Sequence, residues 1–360
     1  MGSRDRTERE VDVLVIGGGV VGAAAALEAA TRGARVALLE RDSLGAPRGG
    51  SKGSARIYAP AAYPDETYLE MGLRAVERWR ELESRIGERI LFSTGALSTG
   101  RFAERQLPLL RAAGVEAELL EPAEAERRFG IRGADRRALL HQPDAGVIRA
   151  DRALRGLLQL ARDAGAELRG GQAVDLLEAG DEQVVVQAGS VTWRPRAAIV
   201  AAGPWSGPLL AGAGVDVPLA VSSQTVTYFE LGSATSAPPA VIDYDGDEPF
   251  ALWDPAGGLK AALHARGPLT DPDQPPRRPS PGAVDRLVAW VDATFPRLKV
   301  RIGGAETCLY TNTPDERFVV ERRGRIVVAA ACNGQGFQLA PETGRRVAAL
   351  ALEPAEVSAR

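Results

Sequence analysis

The chain has 360 residues, 45% of them hydrophobic, enough for a large core spread over one or two domains. Lys and Arg number 44 against 47 Asp and Glu, a net charge of −3 that excludes the strong basic field nucleic acid or an anionic membrane would need. With two cysteines, a polar start and no apolar run of roughly eighteen residues, a disulfide framework and a membrane span are not expected, and the chain reads as soluble and cytoplasmic.

Val11–Ile16 is a short apolar run of the kind that forms a buried parallel strand. It leads directly into Gly17-Gly18-Gly19-Val20-Val21-Gly22, then an Ala-rich helix ending near Gly33, then a second strand from Arg35 to Leu39 that stops at Glu40. Apolar residues at Leu69, Leu73, Val76, Trp79, Leu82 and Ile86 predict an amphipathic helix over 68–86. Short strands (90–98) and helices follow, one of them after Glu121-Pro122, and Asp151 is the expected N-cap of a helix through Ala164. Strands are expected around 184–187 and 197–202, and again, broken by Gly, Pro and Asp, from 218 to 265. The Pro-rich stretch 268–281 is an exposed loop, 286–295 a helix, and 325–331 an apolar strand. Gly334-Gln335-Gly336 and a last helix from about Thr343 close the chain.

The nucleotide-binding pattern has a mechanical reading. Gly17 permits a tight turn, Gly19 lets the backbone approach a pyrophosphate, and Gly22 allows close helix–strand packing at a helix N-terminus that attracts phosphate. Glu40 stands 23 residues after Gly17, placed to accept hydrogen bonds from ribose hydroxyls and to repel a 2′-phosphate. The pattern does not separate FAD from NAD.

Two later segments do. Cys308-Leu-Tyr310-Thr311-Asn-Thr313-Pro314-Asp315-Glu316-Arg-Phe318 precedes a strand and then Cys332-Asn333-Gly334-Gln335-Gly336-Phe337. Together they resemble the sarcosine oxidase and N-methyl-amino-acid oxidase branch of the D-amino-acid-oxidase-like flavoproteins. Ser51 to Arg56 is similar to the family's stretch whose arginine lies against the flavin, with Ser51 and Lys52 beside the cofactor. Ala201-Ala202-Gly203-Pro204-Trp205 is similar to its Ala-x-Gly-x-Trp turn at the nucleotide, and Gly258-Leu259-Lys260 to the segment with its oxygen-activating lysine. The resemblance covers nearly the whole chain. It implies an α/β fold with an α+β insert: a Rossmann-type FAD-binding domain plus an antiparallel-sheet substrate domain, in a glutathione-reductase-like two-domain flavoprotein. Residues 8–80, 145–212 and 300–355 would form the discontinuous FAD domain, and 81–144 with 213–299 the substrate domain.

By the same resemblance Cys308 is joined covalently to FAD, with Gly334, Gly336, Phe337 and Gln338 at the flavin. A cysteine attacks as a thiolate, favoured near a cation such as Arg56; the other reading of Cys308, as of Cys332, is a buried structural thiol. Lys260 matches the position of a fixed positive charge that favours electron transfer to O2, against the ordinary reading of a surface lysine. His264 either packs beside the site or finishes a strand, and His141 reads as structural. Tyr244 and Trp253, with Gln335, line the substrate pocket or, for the two aromatics, belong to the core.

The pattern breaks at the substrate end. Where enzymes acting on small N-methyl amino acids hold the substrate carboxylate between an arginine and a lysine, this chain has Ala59 and Gln338, and Gln335 replaces their histidine. Lys52, Arg149 or Arg266 would have to supply any relocated clamp. The expected activity is hydride transfer from the carbon α to a secondary or cyclic amine to flavin, giving an imine, with O2 reduced to H2O2. A flavin dehydrogenase using another acceptor, a flavin-binding subunit without turnover and an NAD-dependent enzyme are the alternatives. No Ser/His/Asp pattern or metal-ligand spacing is present, and a small-molecule amine and O2 are the expected partners.

Overall fold

The computed structural model describes residues 7–354 apart from 47, 62–64, 101–102, 134–136, 181–182, 233–235, 266 and 331. The chain divides into two compact units: Met1–Lys52, Ala153–Val221 and Tyr310–Arg360 form the first, Gly53–Arg152 and Ser222–Leu309 the second.

The first unit is built on an eight-stranded sheet. Its central strand, Thr7–Ile16, pairs in parallel with Val36–Leu39 on one side and Val191–Val200 on the other. Glu167–Arg169 adds beyond Val36–Leu39, and Ile326–Ala330 beside Val191–Val200, both parallel. Covered on both faces, such strands must be apolar at every position rather than alternating. Val13, Leu14, Val15 and Ile16 are all buried, as are Val36 to Leu39. One face shares a core with Trp193, Val186, Leu210 and Ile326. Helices Val20–Thr31 and Ala340–Leu352 lie so close that a Cβ on Gly344 would come within 2.5 Å of Ala24 Cβ.

The first glycine turn is equally tight. Gly17 has φ +109°, and a Cβ there would meet Ala201 O at 2.4 Å; a Cβ on Gly22 would lie 1.9 Å from Gly17 O. No side-chain rotation relieves a clash with backbone. Gly22→Ala is therefore expected to cost roughly 3 kcal/mol of stability, read as a lowered denaturation midpoint. A fully stable variant would contradict the packing described.

The second unit carries an eight-stranded and a three-stranded sheet. In the larger one Ala220–Leu231, Leu259–Leu263, Pro249–Trp253 and Ala240–Asp243 run side by side, each antiparallel to the next. The sheet is antiparallel at these seams, as expected, and Ala240–Asp243 pairs with Ala96–Thr99 in parallel. Every residue of Leu259–Leu263 is buried, so both of its faces are covered. Period-two alternation sends Leu259, Ala261 and Leu263 into a core with Leu287 and Val291 of the helix Pro281–Thr294 and with Phe295 just after it. Lys260 and Ala262 face the other way, where Ala262 packs with Val226 and Cys308.

Two helix starts differ from expectation. The helix at Asp151 begins at Ala150, so Asp151 lies inside the first turn; its carboxylate accepts from Arg149 Nε at 2.8 Å instead of capping. The helix expected from Arg286 begins at Pro281, since proline is well suited to a first turn where its missing N–H is no loss. Among the described residues no helix is long and apolar enough to cross a membrane.

Candidate active site

In the first unit the turn after Thr7–Ile16 presents the N-terminus of Val20–Thr31. The helix has no side-chain bond from its N-cap residue, Gly19, and no acidic residue in its first turn. Ser51 Oγ accepts the Val20 N–H at 3.0 Å. A Cβ on Gly19 would meet only that hydroxyl, at 3.2 Å, so the backbone here is open to close approach. Glu40 is held by two amides: Oε2 accepts the Gly18 N–H at 2.7 Å and Oε1 the Asp42 N–H at 2.9 Å. Each oxygen keeps a lone pair for a hydroxyl. Gly203, at φ +54°, opens a short 3₁₀ turn through Trp205. The Trp205 ring lies against the guanidiniums of Arg41 at 4.8 Å and Arg48 at 5.1 Å. Lys52 is half-buried in this unit.

At the far end of the chain a second turn is built as tightly. Asn333 has φ +39° and Gly334 φ +74°. Asn333 Oδ1 accepts the Thr313 N–H at 3.0 Å and its Nδ2 donates to Thr313 Oγ1 at 3.2 Å, which braces the turn against the end of the strand Val300–Asn312. Gly336 has no room for a side chain, because a Cβ would lie 2.6 Å from that of half-buried Cys332. Phe337 and Gln338 are buried, and Gln338 Nε2 donates to Gln335 Oε1.

The second unit gathers a different set around Lys260, which is only 6% exposed. Sheet register places it opposite Tyr228 and Leu252. Its ammonium donates to Ala55 O at 3.1 Å, and Arg56 Nη1 donates to the same carbonyl at 2.8 Å. Above Gly53, itself at φ +92°, a Cβ would lie 3.5 Å from Arg56 Nη1, 3.7 Å from Tyr228 Oη and 3.9 Å from Lys260 Nζ. Three polar termini thus converge on a residue without a side chain. Tyr228 donates to Glu306 Oε1 at 2.7 Å, and Ser54 donates to Asp254 Oδ2. Burial pushes Lys260 down to about 7; Arg56 adds to the fall, while Cys308, Asp254 and Glu306 oppose it. Burial, with Glu306 beside it, holds the Tyr228 hydroxyl well above its ordinary range.

Lys260, Arg56 and Cys308 are therefore brought into one electrostatic neighbourhood, and three other candidates have contacts of their own. His264 is four positions further along the chain, about 13 Å away at the usual strand rise, and its ring meets Phe250 edge-on at 6.4 Å. Trp253 packs edge-on against Phe92 at 5.4 Å. Tyr244 is buried near Gln106, and burial raises its hydroxyl to about 12. His141 pairs with Glu118 at 3.1 Å. Of the basic residues suggested as a relocated clamp, Arg149 is engaged by Asp151, and Arg266 lies outside the described residues. Sequence reasoning missed Ser54, Tyr228, Asp254 and Glu306. Only Asp254 carried a local signal, an Asp-Pro-Ala-Gly-Gly turn just ahead of Lys260.

The sequence pattern of the family described as FAD dependent oxidoreductase matches residues 12–350. The chain belongs to that family. This FAD-dependent oxidoreductase is 32% identical to human peroxisomal sarcosine oxidase over 354 residues, covering 93% of this chain and 90% of that protein. It is 26% identical over 360 residues to an N-methyl-L-tryptophan oxidase of Salmonella arizonae, with 95% of each covered. Among solved structures it is similar to the open form of NikD, an unusual amino acid oxidase essential for nikkomycin biosynthesis. The TM-score is 0.84 at 28% identity, over 98% of this chain and 96% of that one.

The residues of this FAD-dependent oxidoreductase fit the nucleotide half of its cofactor. The glycine turn is filled by backbone at Gly17 and Gly22 but open at Gly19, at a helix N-terminus whose N-cap residue offers no side chain, which suits a pyrophosphate. Glu40 is fixed by Gly18 and Asp42 with acceptor capacity to spare for ribose hydroxyls.

Proposed function

We propose that the protein is an amine oxidase acting on a secondary or cyclic amine whose recognition does not rest on the carboxylate clamp of small N-methyl amino acids. The observation that carries this is the convergence of buried Lys260 with half-buried Arg56 and Tyr228 above Gly53. When bound, FAD supplies the two-electron chemistry, taking a hydride from the carbon α to a neutral amine and passing the electrons to O2, with an imine and H2O2 as products. On this reading the first unit holds the dinucleotide through Gly17, Gly19, Gly22, Glu40, Ser51, Gly203 and Trp205. Gly334, Gly336 and Phe337 shape the turn offered to the flavin end.

Lys260 is assigned the oxygen half of the reaction. Its ammonium, held by the Ala55 carbonyl, offers a fixed positive charge in a water-poor setting to the anion that forms as O2 takes up its first electron. Arg56 shares that carbonyl and adds a permanent second charge. A neutral amine needs no strong base to lose a hydride, so His264, away from Lys260, is not required for chemistry.

The substrate side is assigned from what replaces charge. Ala59 is buried in an apolar cluster with Ala55, Ala96, Ala145, Val147 and Leu252, a place that suits no carboxylate. Gln338 is a neutral amide bonded to Gln335, not a cation. An unclamped carboxylate would forfeit charge-assisted hydrogen bonds worth roughly 1.5–3 kcal/mol each.

An amine panel with H2O2 detection tests the reading. Ring or secondary amines lacking an α-carboxylate are expected to give kcat/KM at least about tenfold above sarcosine, the loss of one such bond being about 1.4 kcal/mol or more. Sarcosine at the top of the panel would overturn the substrate assignment; flavin bleaching by amines without H2O2 release would overturn the oxidase assignment.

A further inference from the structure

The turn Asp254–Gly258, which joins the strands Pro249–Trp253 and Leu259–Leu263, closes on its own backbone. Asp254 N–H donates to Gly258 O at 3.0 Å and Gly257 N–H to Asp254 O at 2.8 Å. The turn therefore does not need a buried carboxylate for closure, yet Asp254 is only 2% exposed. An ion so placed costs stability unless its oxygens are bonded and its charge is matched.

Both oxygens are bonded, and the bonds lead to Lys260. Oδ1 accepts the Ala256 N–H at 2.8 Å, inside the turn. Oδ2 accepts the hydroxyl of Ser54, a residue 200 positions away in the chain. Ser54 is pinned from its other side as well, its carbonyl accepting the Ala150 N–H at 2.8 Å. The next carbonyl, that of Ala55, is the one that receives the Lys260 ammonium. One carboxylate thus ties the loop that enters the Lys260 strand to the segment that holds the Lys260 head group.

The charges match too. Facing Lys260 are Arg56 from Ala55–Tyr58, Tyr228 from Ala220–Leu231, Asp254 from the turn, and Glu306 and Cys308 from Val300–Asn312. A protonated Lys260 with Arg56 matches Asp254 and Glu306 in charge; a neutral Lys260 leaves one negative charge unmatched.

We propose that Asp254 is a positioning residue for Lys260: through Ser54 it fixes the carbonyl that receives the ammonium, and its charge keeps that ammonium protonated. The idea rests on the oxygen-side reading of Lys260 for its consequence, though not for its test. Burial works against the ammonium and Asp254 works for it, so without that carboxylate the lysine loses its proton at lower pH.

Asp254→Asn removes the charge and keeps both contacts, since the amide oxygen can accept from Ala256 and the amide nitrogen can donate to Ser54 Oγ with that bond reversed. Ser54→Ala removes the bridge and keeps the charge. The first readout is stability: holoenzyme and its Lys260→Met variant are unfolded in denaturant across pH, and the difference is plotted. A lysine whose folded pKa lies below its unfolded value binds fewer protons folded than unfolded. Its contribution therefore rises with pH, beginning at the folded value.

The onset is expected near pH 7 with Asp254 present, about one unit lower in the Asp254→Asn background, and unmoved in Ser54→Ala. The second readout is reoxidation of the anaerobically reduced enzyme by O2: its pH midpoint should follow the same shift in Asp254→Asn, and Ser54→Ala should slow it at every pH. An onset that stays put in Asp254→Asn, or moves as far in Ser54→Ala, overturns the inference even where Lys260→Met slows reoxidation. A Lys260→Met enzyme that reacts with O2 at the wild-type rate overturns the reading of Lys260 instead, and the stability curves still decide Asp254.

Discussion

Lys260→Met is expected to slow reoxidation of the reduced enzyme by O2 about 10²- to 10³-fold, the size found when a preorganised charge or donor is taken from a site of developing negative charge. Methionine matches the lysine stem in length and suits the buried strand, so the change removes charge with little loss of packing. Flavin reduction by a good amine under anaerobic conditions should change by less than about tenfold, because the O2-derived anion that Lys260 is assigned to stabilise forms only in the other half. The wild-type rate should also fall as pH rises through about 7, where the ammonium gives up its proton, and the variant should show no such fall. Equal slowing of both halves in a stopped-flow comparison would sink the assignment. The variant has a second consequence. Taking away a buried ammonium relieves its desolvation, so Lys260→Met should be more stable than wild type below pH 7 and lose that margin as pH rises.

How much of this was readable in the sequence depends on how local each arrangement is. The first strand, glycine turn and helix were legible because each residue acts on near neighbours: Gly22 must pass Gly17 O, five residues away, whatever the rest of the chain does. Lys260 was legible by resemblance, as a lysine after Gly257-Gly258. Its surroundings were not, because Ser54 meets Asp254 across 200 residues, from beside one sheet to a turn of another, and Tyr228 meets Glu306 across 78, between neighbouring strands. His264, four residues from Lys260, is set along the sheet against Phe250, which packs beside Cys308, a placement that spacing in the chain alone does not give. Asp151 failed on a single position, since Ala150 already belongs to the helix. The substitutions at Ala59 and Gln338 were visible as departures from a pattern. What they meet, an alanine-lined cluster and a second glutamine, was not.

Cys308→Ala is expected to move the flavin from the protein pellet to the supernatant after acid precipitation, a change from complete retention to complete release. The proposal behind it is that Cys308 tethers FAD, and the rival is a thiol kept for packing. Its setting makes the two separable. Cys308 is 8% exposed and packs with Val226 and Ala262, with Tyr228 and Phe250 alongside, so the residue does contribute to an apolar cluster. Alanine there leaves a gap of one sulfur atom, worth roughly 1 kcal/mol, a Tm change of a few degrees on either reading. The fate of the colour is what differs. A packing role predicts acid-soluble flavin from both proteins, whereas a tether predicts it from the variant alone. Wild-type flavin in the supernatant removes the tether outright. If it stays in the pellet, a variant that still binds FAD reversibly separates attachment from binding. The glycine turn and Glu40 would then suffice to hold the nucleotide, leaving Cys308 to fix the flavin end.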